Sequence, residues 1–257
     1  CTGRHGGGGF IPRYPNQDAF KGQIMHSSQY KYPEKHDLVG KDVIVVGIGN
    51  SGSDIVTEFG MLNGGGMRNG SGKIVNSSLS RTILVARSGG WVGHSPHMDI
   101  RSSVAAGDAV MEQLGSREPW WEADMNKRSS EAAEQDVLNK HGMTPGNNHR
   151  RGQQHGIYSG IAGQVWLGDQ LEKGWIEMRR GINREEGFTE DGMGIWLNDK
   201  DGNPMAEPTK CDAVIFATGY RQQAGFVDPK VVDMRFERQG NDVPLFKGCV
   251  PISKYRG

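Results

Sequence analysis

The chain has 257 residues, enough for one large domain or two small ones around a real core. Its 30 lysines and arginines balance 30 aspartates and glutamates, which excludes a global field for nucleic acid or an anionic membrane. Cys1, Cys211 and Cys249 lie far apart without a CxxC, which speaks against a disulfide framework or zinc ribbon and for a reducing compartment, and the apolar runs are strand-sized, too short to span a membrane.

Cys1 to Tyr14 reads as a strand end, a loop rich in glycine at Gly6 to Gly9, and a turn at Pro12 and Pro15. Because it opens on Cys1-Thr2-Gly3, the chain is expected to be a fragment of a longer protein. Phe20 to Tyr30, FKGQIMHSSQY, holds a short predicted strand, Gln23 to His26, between polar flanks. On composition alone His26 is a hydrogen-bonded structural histidine. Lys31 to Gly40 is polar, contains a proline, and reads as a linker.

Lys41 to Val56, KDVIVVGIGNSGSDIV, is the most informative stretch. Val43 to Val46 is a β-branched run too short for a helix, so it predicts a buried parallel strand. Gly47-Ile48-Gly49-Asn50-Ser51-Gly52 follows, and a helix is predicted from near Ser53, with Ile55, Val56 and Phe59 on one face. Strand, glycine turn and helix are the context that a dinucleotide fingerprint requires. Gly47 would permit the tight turn, Gly49 a close approach to pyrophosphate, and Gly52 the packing of helix on strand. The helix N-terminus would hold the phosphates. The bland alternative is a glycine-rich turn that binds nothing.

Asn63 to Ser80 is a glycine- and serine-rich excursion, after which Thr82 to Ala86 predicts the second strand of the βαβ unit. An NAD site would place an acidic residue at the end of that strand, and this chain has Arg87. A guanidinium can fork onto a 2′-phosphate, so Arg87 favours NADP over NAD, unless it is merely solvated. The long excursion weakens that alignment. His94 and His97 have a proline between them and no cysteine near, so they are not read as metal ligands. Val104 to Lys140, with Trp120-Trp121, predicts one or two helices, and His141 to His155 reads as a mobile loop or a surface facing a partner domain. A short helix is predicted within Ile161 to Leu171, strands at Trp175 to Met178 and Gly194 to Leu197, and a turn at Asp199 to Asn203. Cys211 to Tyr220 predicts a last parallel strand of the same sheet, ending in a small-residue turn.

Several of these stretches together resemble flavin-containing monooxygenases. Phe20, Gly22, His26 and Tyr30 fit the FxGxxxHxxxY signature of that family. Gly47 to Asp54, GIGNSGSD, is close to its NADPH fingerprint, and Arg87 to Val92 resembles its R-x-G-x-W-V segment. Phe216 to Tyr220 fits its ATGY motif, and Cys1 to His5 resembles its TG-x-H step. Tyr30, where related Baeyer–Villiger enzymes usually carry tryptophan, points to the heteroatom-oxidising branch.

The resemblance implies an α/β fold, a Rossmann-like NADPH-binding domain inserted in an FAD-binding domain. Residues 1–35 would be a remnant of the FAD domain and linker, 36–220 the NADPH domain, and 221–257 a truncated return into the FAD domain. It implies an oxidoreductase that uses NADPH and FAD to insert one oxygen atom into a nucleophilic nitrogen or sulfur, of the N,N-dimethylaniline monooxygenase type. The implied partners are a small amine or sulfide and molecular oxygen, with no nucleic acid. By resemblance, Gly47, Gly49, Asn50, Ser51, Gly52, Ser53 and Asp54 would cradle pyrophosphate and ribose, and Arg87 the 2′-phosphate. Phe20, Gly22, His26 and Tyr30 would belong to the interdomain linker, and Thr218, Gly219 and Tyr220 would couple the NADPH domain to the flavin site. No catalytic side chain and no metal ligand is implied. The FAD fingerprint is expected upstream of Cys1, so the chain by itself is expected to bind NADPH without oxidising a substrate. A cytoplasmic location is expected, with any membrane anchor in a C-terminal part outside this sequence. Two alternatives stand beside this reading. One is a non-catalytic or truncated NADP-binding module. The other is a pyridine-nucleotide flavin reductase, of which the disulfide type should show a redox CxxC.

Overall fold

The structure, a computed structural model, describes residues 8–65, 67–68, 74–75, 78–87, 89, 91–93, 135–144, 156–158, 167–220, 245–246 and 250–251. The chain divides into two compact units, Arg13–Ala217 and a smaller one formed by Cys1–Pro12 with Thr218–Gly257.

In the larger unit the elements run β1 (Gln23–His26), β2 (Asp42–Val46), α1 (Asn50–Asn63), β3 (Met67–Arg68), β4 (Ile74–Val75) and β5 (Arg81–Val85). Then come β6 (Trp91–Gly93), β7 (Gly156–Tyr158), α2 (Leu167–Glu172), β8 (Glu177–Arg179), β9 (Gly194–Ile195), β10 (Thr209–Lys210) and β11 (Ala213–Phe216). In the smaller unit β12 (Leu245–Phe246) and β13 (Val250–Pro251) form an antiparallel pair.

Five strands build one parallel sheet in the order β1-β11-β2-β5-β8. Val43 to Val45 of β2 and all four residues of β11 are buried, which is why both strands are written as unbroken apolar runs. From β2 the chain winds outward through β5 to β8, then returns to the other side of β2 as β11. The point between β2 and β11, where the winding reverses, is a topological switch, and in open parallel sheets ligands bind beyond the carboxyl ends of the strands there. The strand expected as the last parallel strand of the sheet is β11, the last of the five in chain order, and it takes an inner place. The short strand expected at Gln23 to His26 has those bounds and pairs with β11 along its length.

One face of α1 packs on the sheet through Ile55, Val56, Phe59 and Leu62. At Gly60 an added Cβ would lie 1.9 Å from Gln170 Oε1 and 2.8 Å from Ile176 Cδ1, so glycine lets α2 approach α1. Asn63 ends α1, and its Nδ2 donates to Thr82 Oγ1 (3.2 Å) and the Trp175 carbonyl (3.1 Å). Its Oδ1 accepts from the Leu79 amide at 2.9 Å, so one side chain fixes the helix end to the strands beside it. Arg81 forks onto Glu177 at 2.6 and 2.7 Å, and Arg179 adds a contact at 2.8 Å, clamping β5 to β8.

Between β8 and β11 the chain forms a small antiparallel meander through β9, β10 and bridges at Ile182↔Leu197 and Phe188↔Ile195. The strand expected at Gly194 to Leu197 shrinks to two residues because Leu197 pairs with Ile182 instead. The strand expected at Trp175 to Met178 begins two residues later, at Glu177. The turn at Asp199 is present, with Oδ1 accepting the amides of Asp201 (2.9 Å) and Asn203 (2.8 Å). His94, His97 and Trp120-Trp121 lie outside the described residues, and of the helices expected over Val104 to Lys140 only a helical stretch at 135–140 lies within them. Among the described residues no helix is long and apolar enough to cross a membrane, and no group of three or more His, Cys, Asp or Glu could hold a metal ion.

Candidate functional site

The turn after β2 lies at the topological switch. Gly47 has φ 112°, a conformation that only glycine adopts without strain, and its N–H donates to the Val85 carbonyl at 2.8 Å. Gly49 is the N-cap of α1, in extended conformation, and no side chain caps the helix there. Among the described residues, a Cβ on Gly49 would meet nothing within 4 Å. A Cβ on Gly52 would lie 2.0 Å from the Gly47 carbonyl oxygen and 3.2 Å from Ala217 Cβ, so helix and turn touch through a missing side chain. The three glycines therefore do three different things. Gly47 bends the chain, Gly52 lets the helix head sit on the bend, and Gly49 leaves open space in front of it.

The helix begins at Asn50, earlier than the expected start near Ser53. The Ser53 amide already donates to the Gly49 carbonyl at 2.9 Å, and Asn50, Ser51 and Gly52 form the first turn. The amides of that turn precede the first intrahelical bond and carry the positive end of a 14-residue helix dipole. Ser53 is buried, with its hydroxyl on the Ile48 carbonyl at 3.3 Å, whereas Ser51 and Asp54 lie at the surface. Partial desolvation holds the Asp54 carboxyl above its ordinary value.

Arg87 stands two residues beyond β5, exposed, at the same end of the sheet as the glycine turn. The long excursion before β5 does not displace it, because β5 pairs with β2 in register from Asp42↔Arg81 to Val46↔Val85. Gly89 is pinned next to it. Its N–H donates to the Thr144 carbonyl at 3.0 Å, and a Cβ there would collide with the Met143 carbonyl oxygen.

Phe20, Gly22 and Tyr30 each meet a different element of the larger unit, whereas the His26 ring is held by the turn that follows it. The Phe20 ring packs edge-on against Phe188 of the meander, with centroids 5.2 Å apart. A Cβ on Gly22 would lie 2.3 Å from the Asp212 carbonyl oxygen, where β1 enters beside β11. His26 is buried. Its Nδ1 accepts from the Ser28 amide at 3.2 Å and lies 2.9 Å from Ser28 Oγ. Tyr30 is buried edge-on against Phe59 of α1, and its hydroxyl donates to Glu58 Oε2 at 2.9 Å. Burial, then the neighbouring Glu58 carboxylate, pushes the Tyr30 phenol far up. Burial likewise raises the Glu58 carboxyl, against the hydrogen bond from Tyr30. Glu58 was not singled out from the sequence. Its signal is an acidic residue one turn beyond Asp54 and directly before buried Phe59 on the fingerprint helix.

Thr218, Gly219 and Tyr220 belong to the smaller unit. There the Thr218 hydroxyl donates to the Phe10 carbonyl, the Phe10 amide donates to the Gly219 carbonyl at 2.9 Å, and Tyr220 bridges to Gly9.

The family described as flavin-binding monooxygenase-like matches residues 1–92. Flavin-containing monooxygenase 5 of Oryctolagus cuniculus is 28% identical over 259 residues, covering 98% of this chain and 40% of its own length. Dimethylaniline monooxygenase [N-oxide-forming] 2 of Macaca mulatta is 35% identical over 97 residues, 36% of this chain and 14% of its own length. Among solved structures, an oxidized steroid monooxygenase bound to NADP aligns with 83% of this chain and 45% of its own, at 14% identity and a TM-score of 0.47. The chain thus spans less than half the length of each of these proteins.

Proposed function

We propose that this chain, which belongs to the flavin-containing monooxygenase family, is the NADPH-binding part of an NADPH- and FAD-dependent monooxygenase. The observation that carries the NADPH assignment is the uncapped head of α1 at the topological switch, with open space in front of Gly49. That space suits a pyrophosphate, whose oxygens would accept from the first-turn amides of Asn50, Ser51 and Gly52. Gly47 bends the chain and Gly52 lets the helix head rest on the bend, which leaves that first turn at the switch. Ser53 braces the turn through Ile48, and Asp54 stands one turn along the helix for a ribose hydroxyl. Arg87 would neutralise the 2′-phosphate.

When bound, the flavin supplies the oxygen chemistry: two electrons from NADPH and one O2 give an oxidised substrate and water. The substrate class we propose is a small molecule with a nucleophilic amine nitrogen or sulfide sulfur. Tyr30 at the signature position and a relative named for N-oxide formation support it. The residues of this chain bind and orient. Tyr30 and Glu58 hold the linker to the fingerprint helix, and β1 ties it into the sheet. The given sequence has no CxxC, and burial pushes the Cys211 thiol up to about 12, so that cysteine forms no reactive thiolate near neutral pH.

Calorimetric titration of the chain with NADPH and NADH at one ionic strength tests the assignment. One charge-assisted contact contributes about 1.5–3 kcal/mol, so NADPH should bind roughly ten- to a hundredfold more tightly. Equal dissociation constants would remove the NADP reading.

A further inference from the structure

Tyr14 is half-buried, and its ring stacks on Phe216 with centroids 6.5 Å apart. Phe216 ends β11 and pairs with Val46, the residue before Gly47, so the Tyr14 ring lies at the carboxyl ends of the two strands that flank the switch. The next residue is fixed to the chain beyond β8. The Phe188 amide donates to the Pro15 carbonyl at 2.9 Å, and a Cβ on Gly187 would lie 2.5 Å from the same oxygen. The turn at 184–186 is held by Asn183, whose Oδ1 accepts from the amides of Glu185 (2.9 Å) and Glu186 (3.3 Å). Arg184 heads that turn. From the other side the Arg87 stem passes over Gly181, where an added Cβ would be 3.8 Å from Arg87 Cγ.

The Arg184 turn and the Arg87 stem thus flank the segment that carries Tyr14. Burial raises the Tyr14 phenol above its ordinary value, and the positive charges of Arg87 and then Arg184 oppose that rise. Among the described residues neither Arg87 nor Arg184 has a carboxylate partner, whereas Arg13, Arg81 and Arg179 do. Glu185 and Glu186 stand in the same turn as Arg184 but form no ion pair with either guanidinium among the described residues, so both forks can face an anion. Two forked donors and a hydroxyl match a phosphomonoester, which presents two charges and three oxygens.

We propose that Arg184 and Tyr14 complete, with Arg87, a pocket for the 2′-phosphate of the dinucleotide. This rests on the NADPH reading above and adds two residues remote in sequence from the glycine turn.

The test titrates the full chain with NADPH, NADH and 2′,5′-ADP, which carries the 2′-phosphate without nicotinamide. Arg184→Ala should weaken NADPH and 2′,5′-ADP about tenfold or more, and NADH less than about twofold. Arg184→Lys should recover part of the loss, and Tyr14→Phe should cost about threefold for the two 2′-phosphate ligands alone. Should Arg184→Ala melt early, Arg184→Lys and Tyr14→Phe read the same discrimination. If Arg87→Ala abolishes the preference for NADPH while the Arg184 and Tyr14 variants leave it intact, the three-residue pocket is wrong and Arg87 acts alone. If Arg87→Ala also leaves it intact, or the wild-type chain binds neither dinucleotide, both readings fall.

Discussion

Gly52→Ala should destabilise the protein although it replaces a helical glycine by the best helix former. In an unconstrained helix interior the change would stabilise by about 0.5–1 kcal/mol. Here the new methyl would lie 2.0 Å from the Gly47 carbonyl oxygen and 2.9 Å from its carbonyl carbon. Contact without overlap requires a retreat of about 1 Å. The atoms that must move are backbone, tied through the Gly47 amide to Val85 at 2.8 Å, and Ala217 Cβ blocks another side at 3.2 Å. Overpacking costs typically about 1–3 kcal/mol, and a rigid neighbour puts this site at the upper end. The net loss after the propensity gain is about 2 kcal/mol, or a melting temperature lower by roughly 4–8 °C for a unit of this size. Differential scanning calorimetry reads it, with Ser51→Ala, exposed on the same turn, as a control expected within about 0.5 kcal/mol of the original. A Gly52→Ala protein that melts at or above the original temperature would refute the close packing of helix on turn.

Gly49→Ala should do the opposite: its Cβ meets no described atom, so stability should hold within about 0.5 kcal/mol, while NADPH affinity by calorimetry should fall more than about tenfold if the methyl takes the space proposed for the pyrophosphate. Tyr30→Phe leaves half-buried Glu58 without its donor and should cost about 1–3 kcal/mol in urea unfolding. Glu58→Gln keeps an acceptor for Tyr30 without the charge. The Glu58 pKa is raised in the folded state, so its ionisation weakens the fold as pH rises through that value, and the advantage of Glu58→Gln should grow over the same interval. Glu177 has the reverse sign: Arg81, with Arg179, holds its carboxyl below the ordinary value of 4.5. Its contribution is present above that value and lost as pH falls through the lowered one, so Glu177→Gln should flatten the acid limb of a melting-temperature profile. The effect should be about 1 kcal/mol or less, since both side chains are over a third exposed to water.

The legible parts of this sequence are those whose pattern is local. β2 and the glycine turn announce themselves within ten residues, because a buried parallel strand needs a continuous apolar run and the turn needs glycine. The start of α1 was misplaced because its first turn, Asn50-Ser51-Gly52, is written in residues that favour turns, and the tertiary contact at Gly52 overrides their propensity. Arg87 kept its place across a long excursion because strand register, not loop length, fixes a strand end. Tyr14, Glu58 and Arg184 were invisible because their meaning lies in distant partners. Tyr14 depends on Phe216, Glu58 on Tyr30, and Arg184 on a turn held against Pro15. The inner place of β11 was equally hidden, since an apolar strand looks the same in the middle of a sheet as beside its edge.

Amide chemical shifts of the isotopically labelled chain, titrated with NADPH, read directly whether the head of α1 holds the dinucleotide phosphates. If the phosphates sit there, the amides of Gly47, Gly49, Asn50, Ser51 and Gly52 move first and furthest, and Gly49→Ala abolishes the movement. Saturable NADPH binding that leaves those amides in place would contradict it.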